Sequence, residues 1–112
     1  MKPNPKVYII YGMSANPYYI GRTVQTLACR IKQHLSPKSS SGLLAMHVTR
    51  VEYVVLDTIA DMIVAESYFI NKTRPFLNQE DRSWKDSLTF KCDYLDGLKW
   101  KSWEGLDMLK IN

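Results

Sequence analysis

Residues 7–34, VYIIYGMSANPYYIGRTVQTLACRIKQH, decide how the rest of this chain is read. Two runs rich in aromatic and β-branched residues, 7–11 and 18–23, are separated by a turn-forming segment from Gly12 to Pro17, which is a hairpin signal. Side chains alternate across a strand, so an antiparallel register sets Tyr8 and Tyr19 on one face. After the second run, Thr26 is positioned to cap a helix whose buried stripe is Leu27, Ile31 and Leu35. Arg30 and His34 then stand one turn apart beside that stripe. An arginine and a histidine would flank a pair of phenols.

Outward from this stretch, charge is unevenly divided. Residues 1–50 hold Lys2, Lys6, Arg22, Arg30, Lys32, Lys38 and Arg50 and no carboxylate, so that half carries +7. All eleven carboxylates lie in residues 51–112, where eight lysines and arginines leave −3. A polyanion is the natural partner of the basic half. At 112 residues the chain is long enough for one core and too short for a separate targeting domain. No apolar run approaches the ~20 residues that span a bilayer, and MKPNPK lacks the apolar core of a signal peptide. The expectation is a cytoplasmic protein with no membrane partner. Cys29 and Cys92 fit neither a disulfide framework nor a zinc site and read as free thiols.

The flanks supply support. Residues 1–6 read as an extended arm in which Lys2 and Lys6 reach phosphate. Residues 36–42, polar and serine-rich, read as a flexible connection, followed by a short helix over about 43–49. There His47 lies among Leu44, Met46 and Val48, a setting that is more often structural than functional. Residues 51–59, VEYVVLDTI, predict a third strand, and residues 61–74 a helix capped by Thr58 and ended by Pro75. Glu66 falls within the apolar stripe of that helix, between Met62, Ile63, Phe69 and Ile70. A carboxylate there needs a cation, a hydrogen-bond network or an opening to solvent. A metal ion answers that need, and so does a structural salt bridge. Asn78, just past Pro75, is suited to tying a loop to nearby backbone.

At these residues the chain resembles the GIY-YIG nuclease family. Tyr19-Ile20-Gly21 matches the second motif, while the first is carried by Lys6-Val7-Tyr8, with its tyrosine kept and lysine where the family has glycine. Arg30 and His34 follow in order, and Glu66 and Asn78 fall where the family has its metal-binding glutamate and late asparagine. The resemblance covers about residues 6–78. It implies an α/β domain, a small three-stranded antiparallel sheet flanked by helices, over residues 1–80. Residues 81–112 lie outside the resemblance. Trp100 and Trp103 beside Lys99 and Lys101 are suited to stacking on bases. The stronger expectation is that Trp84, Trp100 and Trp103 make an aromatic and charged extension packed on the same domain, on a second copy in a homodimer or on another protein partner.

The activity implied is metal-dependent hydrolysis of DNA phosphodiester bonds, most naturally in double-stranded DNA, by Tyr8, Tyr19, Arg30, His34 and Glu66. Few oxygen ligands suit Mg²⁺ or Mn²⁺ at Glu66, completed by waters. Arg30 can fork onto a phosphate, and Lys6, Arg22, Lys32 and Lys38 supply further positive charge. Gly21 and Asn78 give structural support. Tyr8 is the better candidate for general base and Tyr19 its partner. A free phenol has a pKa near ~10, so Arg30, the metal and the basic half are expected to lower it. Two other readings compete: a non-catalytic nucleic-acid-binding module of the same fold, and a protein-binding inhibitor or adaptor using the aromatic extension.

Overall fold

The structure, a computed structural model, describes residues 4–13, 16–36 and 48–110. Lys2, Lys38, His47 and all but the last two residues of the short helix expected over 43–49 lie outside the described residues. β1 (Lys6–Tyr11) and β2 (Pro17–Thr23) form the expected hairpin, with Tyr8 opposite Gly21 and Ile10 opposite Tyr19. β3 (Arg50–Val55) pairs antiparallel with the other side of β1, Tyr53 facing Tyr8. A fourth strand, β4 (Lys101–Ser102), joins β3 opposite Tyr53 and Glu52, so the order is β2-β1-β3-β4. The expected three-stranded sheet is thus four-stranded. β4 is too short to carry a period-2 pattern and exists by docking on the open edge of β3. The Trp103 amide lengthens that contact by donating to the Val51 carbonyl at 2.8 Å.

Two helices cover the sheet. α1 (Leu27–Leu35) starts at Thr26, whose hydroxyl accepts from the Cys29 amide at 3.2 Å. α2 (Ile59–Thr73) starts at Thr58, whose hydroxyl accepts from the Asp61 amide at 3.0 Å. α2 therefore begins two residues before the expected start, and β3 ends four residues before its expected end. The Leu56 amide turns to the Pro5 carbonyl at 2.9 Å, and Thr58 is taken by the cap. Arg74 ends α2 in the left-handed region at φ 50, and Pro75 follows.

Both faces of β1 are buried. Val7 and Ile9, with Ile20 of β2 and Val54 of β3, pack on Met62, Ala65 and Phe69 of α2. Tyr8 and Ile10, with Val51 of β3, pack on Leu27 and Ile31 of α1 and on Leu106 of α4 (Leu106–Lys110). Ile63, expected in the buried stripe of α2, is 42% exposed. Beyond α2 come 3₁₀ turns at Phe76–Asn78 and Arg82–Trp84 and the single-turn α3 (Asp93–Asp96). The Trp84 indole donates to the Pro75 carbonyl at 3.1 Å, and Trp100 stacks edge-on against Phe69 at 5.1 Å. Cys29 and Cys92 are free thiols. Among the described residues no helix is long and apolar enough to cross a membrane.

Candidate active site

The α1 face of the hairpin gathers four of the residues singled out in the sequence. Tyr8 is fully buried, and its hydroxyl lies 2.6 Å from His34 Nε2 and accepts from Arg30 Nε at 3.1 Å. The Tyr19 ring stands 4.8 Å from the imidazole and 6.3 Å from the Tyr8 ring. Register explains the meeting. Tyr8 opposes Gly21 and Tyr19 is two residues before it, so both phenols share one face. A side chain at Gly21 would collide with the Tyr8 hydroxyl and the Tyr19 ring, so glycine here makes the room that the phenol occupies. His34 is not beside the α1 stripe, as expected, but inside it, 4% exposed. A helical stripe is wider than a single line of positions, and the Tyr8 hydroxyl gives the imidazole a polar partner in the interior.

Glu66 approaches β2 from α2, half-buried, with its Oε1 3.0 Å from Arg22 Nη1. Asn78 is buried and clamps β2 from outside: its Oδ1 accepts from the Ile20 amide at 2.8 Å and its Nδ2 donates to the Ile20 carbonyl at 3.0 Å. This closes the open edge of β2 between Tyr19 and Gly21. Of the remaining predicted residues, Lys32 is exposed on α1 and Arg22 is spent on Glu66. Lys6 is buried and donates to the Asn4 carbonyl at 2.8 Å, so it does not stand free on the surface.

Residues 4–81 match the family model described as the GIY-YIG catalytic domain. The chain belongs to the GIY-YIG family. Searches of curated proteins and of solved structures give no match. GIY-YIG proteins are nucleases that act on DNA, so the matched region carries nuclease chemistry in general.

Within this GIY-YIG site, burial dominates the electrostatics. It pushes the Tyr8 phenol well above its ordinary value, aided by Tyr19 and only partly opposed by Arg30. The expected lowering is therefore not found in the protein alone, because desolvation of a fully buried phenolate outweighs one neighbouring guanidinium. Burial, then Arg30, hold the His34 pKa down at about 4, so the imidazole is neutral at pH 7. Arginine can only donate, so the Tyr8 oxygen accepts from it, and in the tautomer of the neutral His34 with a bare Nε2 the phenol donates its proton to that nitrogen. Burial also works against the Arg30 charge, but Tyr8, Tyr19 and Glu66 hold it firmly protonated.

The Glu66 carboxyl is raised first by burial, against Arg22, and then by Asp81. Asp81, which sequence reasoning passed over, raises Tyr19 as well. Its amide donates to the Asn78 carbonyl at 2.9 Å, so the turn that clamps β2 also brings this charge to the site. Nothing local in the sequence marks it; only the turn's docking does. Among the described residues no three histidine, cysteine, aspartate or glutamate side chains group as a metal cage. One carboxylate with a second negative charge nearby still fits a hard, mostly hydrated cation such as Mg²⁺, which takes few protein ligands.

Proposed function

We propose that this chain is a metal-dependent endonuclease that hydrolyses phosphodiester bonds of double-stranded DNA. One observation carries the reading: the Tyr8 hydroxyl is held at 2.6 Å by a neutral imidazole and at 3.1 Å by a guanidinium, with a second phenol alongside. Burying such a group beside a charge costs stability and adds nothing to packing that phenylalanine would not supply.

Hydrolysis needs a water stripped of a proton, neutralisation of the charge growing on phosphorus, and a stabilised leaving oxygen. Tyr8 and His34 act as one unit for the first task. The phenolic oxygen takes the proton of the attacking water while its own proton passes to His34 Nε2, so no buried phenolate accumulates. Arg30 commits Nε to Tyr8 and Nη1 to Gln33 at 3.1 Å, and a guanidinium has N–H groups left for two phosphate oxygens. Tyr19 holds the imidazole by ring contact. A divalent cation held by Glu66 supplies charge neutralisation at the scissile phosphate and the leaving oxygen when bound. Arg22, half exposed, releases Glu66 to it at little cost.

The test is incubation of supercoiled plasmid with and without Mg²⁺. Wild type should nick it only with the metal, and Tyr8→Phe, which removes one oxygen, should slow cutting by ~100-fold or more. Equal cutting by Tyr8→Phe would remove the phenol from the chemistry. A second reading, a module of the same fold that binds DNA without cutting, is favoured by the strongly raised Tyr8 pKa. Binding with no cleavage under any divalent metal would select it.

A further inference from the structure

Two residues before Tyr8 on the same face of β1, Lys6 lines an open groove of about 540 Å³. The groove runs between the turn that enters α1 and the β3 side of the sheet, and its walls include Val24, Gln25, Tyr53, Val55 and Trp103. No lining residue is acidic. Lys6 is 5% exposed and gives one hydrogen bond to the Asn4 carbonyl, and among the described residues no carboxylate forms an ion pair with it. An ammonium has three donors, and a covered cation without a counter-ion is costly. An anion in the groove would relieve that cost.

Part of the lining is aromatic. Tyr53 and Trp103 supply it, and the indole packs close over Gly105, where a side chain would collide with the ring, and against the core beside Leu106. Val24 and Val55 add exposed aliphatic surface at 47% and 48% exposure. A phosphate for the ammonium and a flat ring for the indole are the two halves of one nucleotide. A paired base has both faces stacked, so the base that meets an indole is an unpaired one. Two strand residues span ~7 Å, about two 3.4 Å steps of a nucleic-acid strand, so the groove lies within reach of DNA bound at Tyr8.

The geometry points to a subsite for an unpaired nucleotide flanking the cleaved bond, its phosphate on Lys6 and its base against Trp103 and Tyr53. This rests on the nuclease reading of the Tyr8 site. The chain therefore favours DNA in which a duplex meets a single-stranded extension.

Binding is measured by fluorescence anisotropy in EDTA, so that no cutting intervenes, on a blunt duplex and on the same duplex with an extension of about five nucleotides. The extension should tighten binding about tenfold. Lys6→Met and Trp103→Ala should each abolish that gain and leave blunt-duplex affinity within about twofold. Lys6→Met should also reduce the salt slope on the extended DNA by about 0.7. Gln25→Glu sets a repelling charge at an exposed rim position, where folding is not at stake, and should remove the gain too. Equal wild-type affinity for the two DNAs, or a gain that survives Gln25→Glu and Trp103→Ala, overturns the subsite. Cutting of plasmid without an extension gain sinks the groove and keeps the nuclease. An extension gain without cutting sinks the nuclease and keeps a strand-binding groove. No binding to either DNA sinks both.

Discussion

The two faces of β1 carry two different interiors. On the α2 side, Val7 and Ile9 meet Met62, Ala65, Phe69 and Ile70, and contact is apolar throughout. On the α1 side, Tyr8 lies among Ile10, Leu27 and Ile31, but its hydroxyl meets an imidazole and a guanidinium. Burial displaces protonation on both, raising the Tyr11 phenol on the α2 side, but it acts furthest on Tyr8 and His34 of the α1 side. The first interior holds the sheet together. The second spends part of that stability to hold a buried phenol and a buried imidazole against a partly exposed guanidinium, which is what preorganised catalysis requires.

Paired substitutions break the comparison most sharply. Phe69→Ala, on the α2 side, empties a buried ring site and should cost about 3–5 kcal/mol in urea unfolding. Cleavage per folded molecule should be unchanged, because Phe69 touches none of the polar groups of the Tyr8 site. Arg30→Ala, on the α1 side, should do the reverse: cutting falls by ~100-fold or more, while stability moves by about 1 kcal/mol or less because the side chain is partly exposed. Were Arg30→Ala to unfold the domain with its rate per folded molecule intact, the two faces would not divide the work in this way.

A pH titration separates the faces at a smaller scale. The His34 pKa is about 4 when folded against an ordinary 6.5, so the folded state resists protonation. Above pH 6.5 both states are neutral and the full stability is present. As pH falls from 6.5 towards 4 the unfolded chain takes up a proton that the folded one refuses, and stability is lost at up to about 1.4 kcal/mol per unit. Between pH 7 and 5 this amounts to about 2 kcal/mol. His34→Gln should flatten that part of the curve in denaturant melts, and an unchanged slope in the variant would assign the pH dependence elsewhere.

What was legible in the sequence followed from local rules. The hairpin, both threonine caps and the shared face of Tyr8 and Tyr19 depend on residues close together in the chain, where spacing and turn chemistry act directly. β4 was not legible, because two residues carry no period and pair only when β3 offers an edge. The burial of His34 was missed because it needs the Tyr8 hydroxyl as a partner across the domain. The Arg22–Glu66 pair joins residues 44 apart, and Asp81 acts through the docking of a turn. The Tyr8 pKa was misjudged for a related reason: neighbouring charges can be guessed from spacing, but the depth of burial that overrides them cannot.

Glu66 lies at the border between the two interiors, and its substitution has the smallest expected effect on stability and the most to say about chemistry. Its partner Arg22 is 46% exposed, so losing the ion pair leaves a cation that water can solvate, at a cost below about 1 kcal/mol. Burial already opposes the Glu66 charge, so Glu66→Gln also relieves a desolvation penalty. The two nearly cancel, and the melting temperature without metal should be almost unmoved. Metal linkage then becomes the informative readout. If Glu66 holds the cation, millimolar Mg²⁺ or Mn²⁺ raises the melting temperature of wild type through selective binding to the folded state. The variant should lose that rise, along with Mn²⁺ binding seen by electron paramagnetic resonance, while DNA affinity stays equal or improves as negative charge leaves the phosphate surface. A metal-induced rise that persists in Glu66→Gln would put the cation on other ligands. A loss near 3 kcal/mol without metal would instead make Arg22–Glu66 a structural pair, since only a desolvated partner is so costly to strand.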